Sequence, residues 1–114
     1  MSTTLDSTYS VNDGLIKLTV VIGNAQIGGS AVFLQGTPIA LGDISQLVIG
    51  AGHGLVGQRL EVKTVVSDVN NATDQTVVTY LLSGGTSANQ FQLSEAVASP
   101  GDSIIYRAVF DFQA

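Results

Sequence analysis

Residues Leu60–Gly85 read LEVKTVVSDV, then NNATDQ, then TVVTYLLSGG, and this stretch decides the fold. The first run alternates: Leu60, Val62 and Val66 share one parity, Glu61, Lys63 and Ser67 the other. The second is almost wholly Thr, Val, Tyr and Leu, the residues that suit a pleated, half-buried surface. A polar segment separates the two runs, and Gly84-Gly85 closes the second. The pattern predicts a long antiparallel hairpin in the middle of an all-β domain.

Working outward, the same period of two recurs. Ile16, Leu18, Val20 and Ile22 alternate with Lys17 and Thr19. After Gly23-Asn24, the run AQIGGSAVFLQG reads as that strand's hairpin partner, with Ile27, Ala31 and Phe33 on one parity. Its Gly28-Gly29 pair points to a bulge or to close approach of another backbone. Pro38 cannot donate to a ladder, so Ile39–Leu41 is an edge piece or connector. Near the C-terminus, Ile104, Tyr106, Ala108, Phe110 and Phe112 point one way, while Ser103, Arg107 and Asp111 point the other. Asp13-Gly14 and Ser99-Pro100-Gly101-Asp102 read as turns. Residues 1–8, rich in Ser and Thr, read as a flexible arm.

No segment holds a helical period for three turns. The expectation is one domain over residues 1–114, an antiparallel β-sandwich of seven to eight strands, immunoglobulin-like or jelly-roll-like. A small closed β-barrel is the alternative.

Composition narrows the chemistry. Charged residues make up 11% of the chain, less than half the roughly 25% usual for globular domains, while 45% is hydrophobic. The net charge is −5, and the four basic residues, Lys17, Arg59, Lys63 and Arg107, are scattered in sequence. A nucleic-acid partner needs a clustered basic face and is not expected. No run approaches the ~18 apolar residues of a membrane helix. The first ten residues lack a basic and then apolar leader pattern, which leaves localisation open, with the cytoplasm as default. Cysteine is absent, which excludes disulfides and thiolate chemistry.

Candidate sites are few. Gly52-His53-Gly54-Leu55-Val56-Gly57 spells a dinucleotide fingerprint, but the following QRLEVKTVV alternates like a strand. A pyrophosphate site needs a helix there, so a glycine loop between strands is the better reading, and no cofactor is assigned. His53, the lone histidine, reads as a solvated loop residue, and no catalytic residue is assigned. Asp68, Asn70 and Asp74 make a calcium candidate by residue type. They lack the glycine and terminal glutamate of an EF-hand loop, so turn capping is preferred and no metal is assigned. Asn71-Ala72-Thr73 has the form of a glycosylation sequon. Absence of Trp weakens a sugar-stacking face, although Tyr9, Tyr80 and Tyr106 remain.

Val77, Leu81, Ile105 and Val109 stand on the parity opposite the core face of their runs. A sandwich has one interior, so these residues form a candidate interface with a second copy or another protein. The functional expectation is a non-enzymatic module acting through protein contact, as a self-assembling structural or adaptor subunit. The alternative is a small-ligand or carbohydrate-binding module using loop ends near His53 and Asn70–Asp74. Circular dichroism checks the fold class: the expected spectrum is β, with helix far below the ~30% average of globular proteins.

Overall fold

Alternating runs become strands because each buries one side-chain row and leaves the other to solvent. The structure, a computed structural model, describes residues 2–70, 72–99 and 101–114. Asn71 of the sequon and Pro100 of the predicted turn lie outside the described residues. Among those described, nine strands form: β1 (Ser2–Ser10), β2 (Leu15–Ile22), β3 (Ile27–Leu34), β4 (Thr37–Gly42), β5 (Leu47–Ala51), β6 (Arg59–Ser67), β7 (Gln75–Ser83), β8 (Asn89–Ala96) and β9 (Ser103–Gln113). One helical turn, α1 (Gly52–Leu55), joins β5 to β6.

The strands form two sheets, of order β1-β9-β6-β3-β4 and β5-β2-β7-β8, which are not closed into a barrel. The architecture is therefore an all-β sandwich, and the barrel alternative is set aside. Every pair is antiparallel except β1 with β9.

Two predicted hairpins do not form. β6 pairs with β3 and β9, whereas β7 pairs with β2 and β8, so the halves of Leu60–Gly85 belong to opposite sheets. β2 and β3 are likewise in opposite sheets. Period-two alternation says that a run is a strand with one buried face. It carries no information about which strand lies beside it. The real hairpins are β3–β4 and β7–β8. Gln35 and Gly36, joining β3 to β4, both have positive φ (51° and 81°), as a two-residue type I′ turn requires.

The core between the sheets follows the predicted parities in most strands. Ile16, Leu18, Leu60, Val62, Val66, Ile104, Tyr106, Ala108 and Phe110 are fully buried. In β3 the inward row is Ser30 and Val32, so Ile27, Ala31 and Phe33 face outward. Gly28 sits where close approach was expected: a Cβ there would lie 2.0 Å from the Val65 carbonyl oxygen. β4, with its Pro38, is an edge strand as expected.

Residues 2–8 are not a loose arm. They belong to β1, which runs parallel to β9 in unbroken register from Ser2 opposite Ile105 to Ser10 opposite Gln113. The pattern was hidden because only Leu5 and Tyr9 mark its apolar row; Thr3 and Ser7 share that parity. Tyr9 anchors the strand. Its ring is buried edge-on against Phe112, and its hydroxyl donates to Ser87 O at 2.6 Å and accepts from Gly85 N at 3.1 Å. Tyr9→Ala removes a buried aromatic and is expected to cost about 3–5 kcal/mol in chemical denaturation. Tyr9→Phe, which strands the Gly85 N–H, costs about 1–3 kcal/mol. A dispensable arm predicts neither loss.

Candidate functional site

The glycine motif folds as a plug for one end of the sandwich. α1 lies inside the motif and is followed by β6, not by a helix. The Gly52 N–H is already bonded to Gly14 O at 2.9 Å, and a Cβ at Gly52 would lie 2.2 Å from Asn12 O. The first glycine thus serves packing against the β1–β2 turn, while Leu55 closes the core from that end. His53 is largely exposed, with Nδ1 3.8 Å from the Oδ1 of an exposed Asp13, too far for a hydrogen bond.

The Asn70–Asp74 loop sits at the other end, because His53 precedes the start of β6 while Asp68 follows its end. The molecule is 44 Å long, so the two candidate loops do not share a site. Most of the loop's polar groups make turn contacts. Asn70 Oδ1 accepts from Ala72 N at 2.9 Å, and Asn70 Nδ2 donates to Asn24 O at 2.7 Å. Gln26, which sequence reasoning passed over, is the buried clasp. Its Oε1 accepts from Val69 N (2.7 Å) and Asn70 N (2.9 Å), and its Nε2 donates to Thr73 O and Gln75 O. The only sequence hint is a long amide beside a turn, which is common on surfaces.

Asp68 differs from its neighbours. It is buried, and apart from the carboxyl of Asp74 neither carboxylate oxygen has a hydrogen-bond partner among the described residues. Asp74 is exposed, and its carboxyl is raised above the usual range by hydrogen bonding to Asp68, by desolvation and by the charges of Asp68 and Asp102. Asp102 Oδ2 is occupied by Ser99 N at 3.1 Å. Among the described residues no three His, Cys, Asp or Glu side chains converge into a metal group.

The interface candidates separate. Val77 and Leu81 lie on the outer face of the four-stranded sheet; Ile105 and Val109 lie on the outer face of the five-stranded sheet. They do not form one patch. Val109 is moreover 1% exposed, against 46% for Ile105. In the ladder Val109 is flanked by Asp6 and Glu61, and Arg107 and Asp111 neighbour it along β9. The ion-paired side chains lie across it, their stems excluding water.

That charged stripe was invisible in sequence. Arg59 and Asp111 pair bidentately (2.8 and 3.2 Å), and Arg107 Nε donates to Glu61 Oε2 at 2.6 Å. Lys63 lies 3.8 Å from Glu61 and 5.5 Å from the centre of the Phe33 ring. Three of the four basic residues thus meet on one face, each with an acid close by, so the field is locally balanced. Arg59 holds the Asp111 carboxyl below the usual carboxylate range. A hollow of about 250 Å³ beside the stripe is lined by Phe33, Gln35, Gly36, Arg59 and Glu61. A groove of about 460 Å³ opens between the ends of β2 and β3, lined chiefly by Val20, Ile22, Ile27 and Ile44, with Asp43 its one ionisable group.

Comparison with known protein families, curated proteins and solved structures finds no match. The class is therefore defined by architecture alone. It is a nine-stranded β-sandwich with a charge-laced outer face on one side and a nearly uncharged one on the other.

Gln26→Leu tests the clasp. Hydrogen exchange at the Val69 and Asn70 amides is expected to accelerate at least tenfold, while amides in β6 and β9 keep their protection. The loss of stability is about 1–3 kcal/mol, from two amides left without partners.

Proposed function

We propose that the chain is a non-enzymatic module that works through protein contact, binding through the outer face of the β5-β2-β7-β8 sheet. A second copy of the chain is the simplest partner. One observation carries the reading: among the outward-facing strand residues of that sheet, Lys17 alone is charged. Leu15, Val21 and Val48 are about half exposed there, and Val77 and Leu81 extend the apolar surface between them. The rest is Thr, Ser, Gln and Ala, side chains that desolvate at far lower cost than charges. Interface cores are depleted in charge in this way.

The sheet's edge supports the same reading. β8 is an eight-residue edge strand with neither Pro nor Lys, the devices that usually blunt an edge. Its one charged residue, Glu95, is on the inward parity and accepts from Thr3 Oγ1 at 3.3 Å. The opposite sheet exposes Ile27, Leu41, Val65 and Ile105 on its outer face, but it also carries the ion pairs there. Desolvating the charged half of that face would cost several kcal/mol.

Light scattering over a concentration series tests the proposal. The expected particle exceeds the 11.7 kDa of one chain at micromolar concentration. Val21→Lys and Val48→Lys, both solvent-facing, are expected to shift it towards monomer by at least tenfold in dissociation constant. Ile105→Lys, on the other face, leaves the association unchanged. Val109→Lys forces a charge beneath the ion pairs of that outer face and lowers the melting temperature instead. A stable monomer at high concentration overturns self-association, and dissociation by Ile105→Lys alone moves the interface to the other sheet.

A further inference from the structure

We propose that Asp68 and Asp74, at the passage from β6 to β7, form a binding site for a hard divalent cation, calcium. The starting point is a buried carboxylate without a donor. Asp68 is 4% exposed, and both of its oxygens are sealed from solvent; apart from the carboxyl of Asp74 they have no hydrogen-bond partner among the described residues. A carboxylate in that position costs several kcal/mol unless a donor, a proton or a cation meets it.

The four Lys and Arg side chains do not reach it. Arg59, Lys63 and Arg107 belong to the ion pairs of the outer stripe. Lys63 precedes Asp68 by five residues, roughly 16 Å of extended strand. Lys17 pairs opposite Ser83, at the far end of the sandwich. Instead of a base, a second acid lies against Asp68: the carboxyl of Asp74, six residues on, on the opposite side of the loop. Asp102, from the β8–β9 connection, adds negative field at the same end. The β2–β3 connection contributes only the neutral amides of Asn24 and Gln26, both bonded to backbone. Among the described residues this end of the sandwich is thus acidic with no base, and its deepest acid meets only another acid.

Two carboxylates brought together this way attract one hard cation between them. The chemistry favours calcium over magnesium. Calcium accepts six to eight oxygens in irregular geometry, whereas magnesium demands a rigid octahedron. Asp68 is fixed at the bottom of the site, but Asp74 is exposed on a loop and free to adjust. The remaining ligands would be water and main-chain carbonyls, each of which keeps a second lone pair after accepting one N–H. With two acids rather than the roughly six protein oxygens of a built EF-hand loop, the affinity falls in the weak class, roughly 0.1–1 mM.

The experiment uses the full chain freed of metal with a chelator, at pH 7. Calcium at 10 mM is expected to raise the melting temperature by roughly 5 °C, because a ligand of the folded state stabilises it by mass action. Magnesium at the same concentration gives a rise less than half as large. Calcium-induced amide shifts should saturate at millimolar concentration and be confined to residues 68–74 and 97–102. Asp74→Asn, an exposed isosteric change, should abolish both responses while leaving the fold intact. Three results overturn the site: no thermal response to calcium, shifts spread over surface acids throughout the molecule, or a response that survives in Asp74→Asn. A proton shared between the two carboxyls is the rival, and it has its own signature. An acid whose folded pKa is raised contributes stability below its unfolded pKa and loses that stability as pH rises through the folded value. If calcium is without effect and stability falls from pH 4 to 7 in the wild type but not in Asp74→Asn, the pair holds a proton, not a metal.

Discussion

Two tyrosine hydroxyls cross the core in opposite directions, and the alignment of the two sheets depends on them. Tyr80 of β7 reaches Thr64 of β6, which is itself bonded to Ser30 of β3 at 2.8 Å. Tyr106 of β9 meets Thr76 of β7, whose hydroxyl also bonds Glu95 O at 2.7 Å. A purely aliphatic interior would tolerate sliding of one sheet over the other with little change in buried area. Polar groups in a dry core tolerate none, since a lost partner leaves an unsatisfied atom. Burial pushes the Tyr80 hydroxyl up to about 12, so it stays a neutral donor at any physiological pH. Edge-to-face packing of Tyr80 on Phe110 fixes its ring as well.

This cross-bracing matters because most connections leave the sheet they start in. Successive strands pair as hairpins only at β3–β4 and β7–β8; elsewhere the chain passes from one sheet to the other. Each crossing spans the roughly 10 Å between packed sheets and needs a loop of several residues. The loops are therefore functional material as well as connectors. Asp68 is buried because it begins such a crossing, and Gln26 clasps the same loop from the neighbouring crossing. The exposed faces divide by the same logic. Charge gathers where β6 and β9 lie side by side, and is almost absent where β2 and β7 do.

The sequence by itself determined that this chain is all-β, with a sandwich favoured over a barrel, and which row of most strands is inward. A two-residue period in β2, β6, β7 and β9 is a local property, set by the pleat and the hydrophobic effect, and it survives into the structure unchanged. Close approach at Gly28 and the edge position of Pro38 were legible for the same reason, since each follows from what one residue physically cannot do. Only the tertiary structure decided which strands are neighbours. β6 and β7 look like a hairpin, yet nothing local distinguishes a seven-residue hairpin tip from a seven-residue crossing between sheets. From that decision follow the division of Val77 and Leu81 from Ile105, the burial of Val109 beneath ion pairs, and the meeting of Arg59, Lys63 and Arg107 on one face. It also turned Asp68, a turn residue by type, into a buried carboxylate facing Asp74. Partner choice is made by long-range packing, which a residue's own neighbours in sequence do not encode.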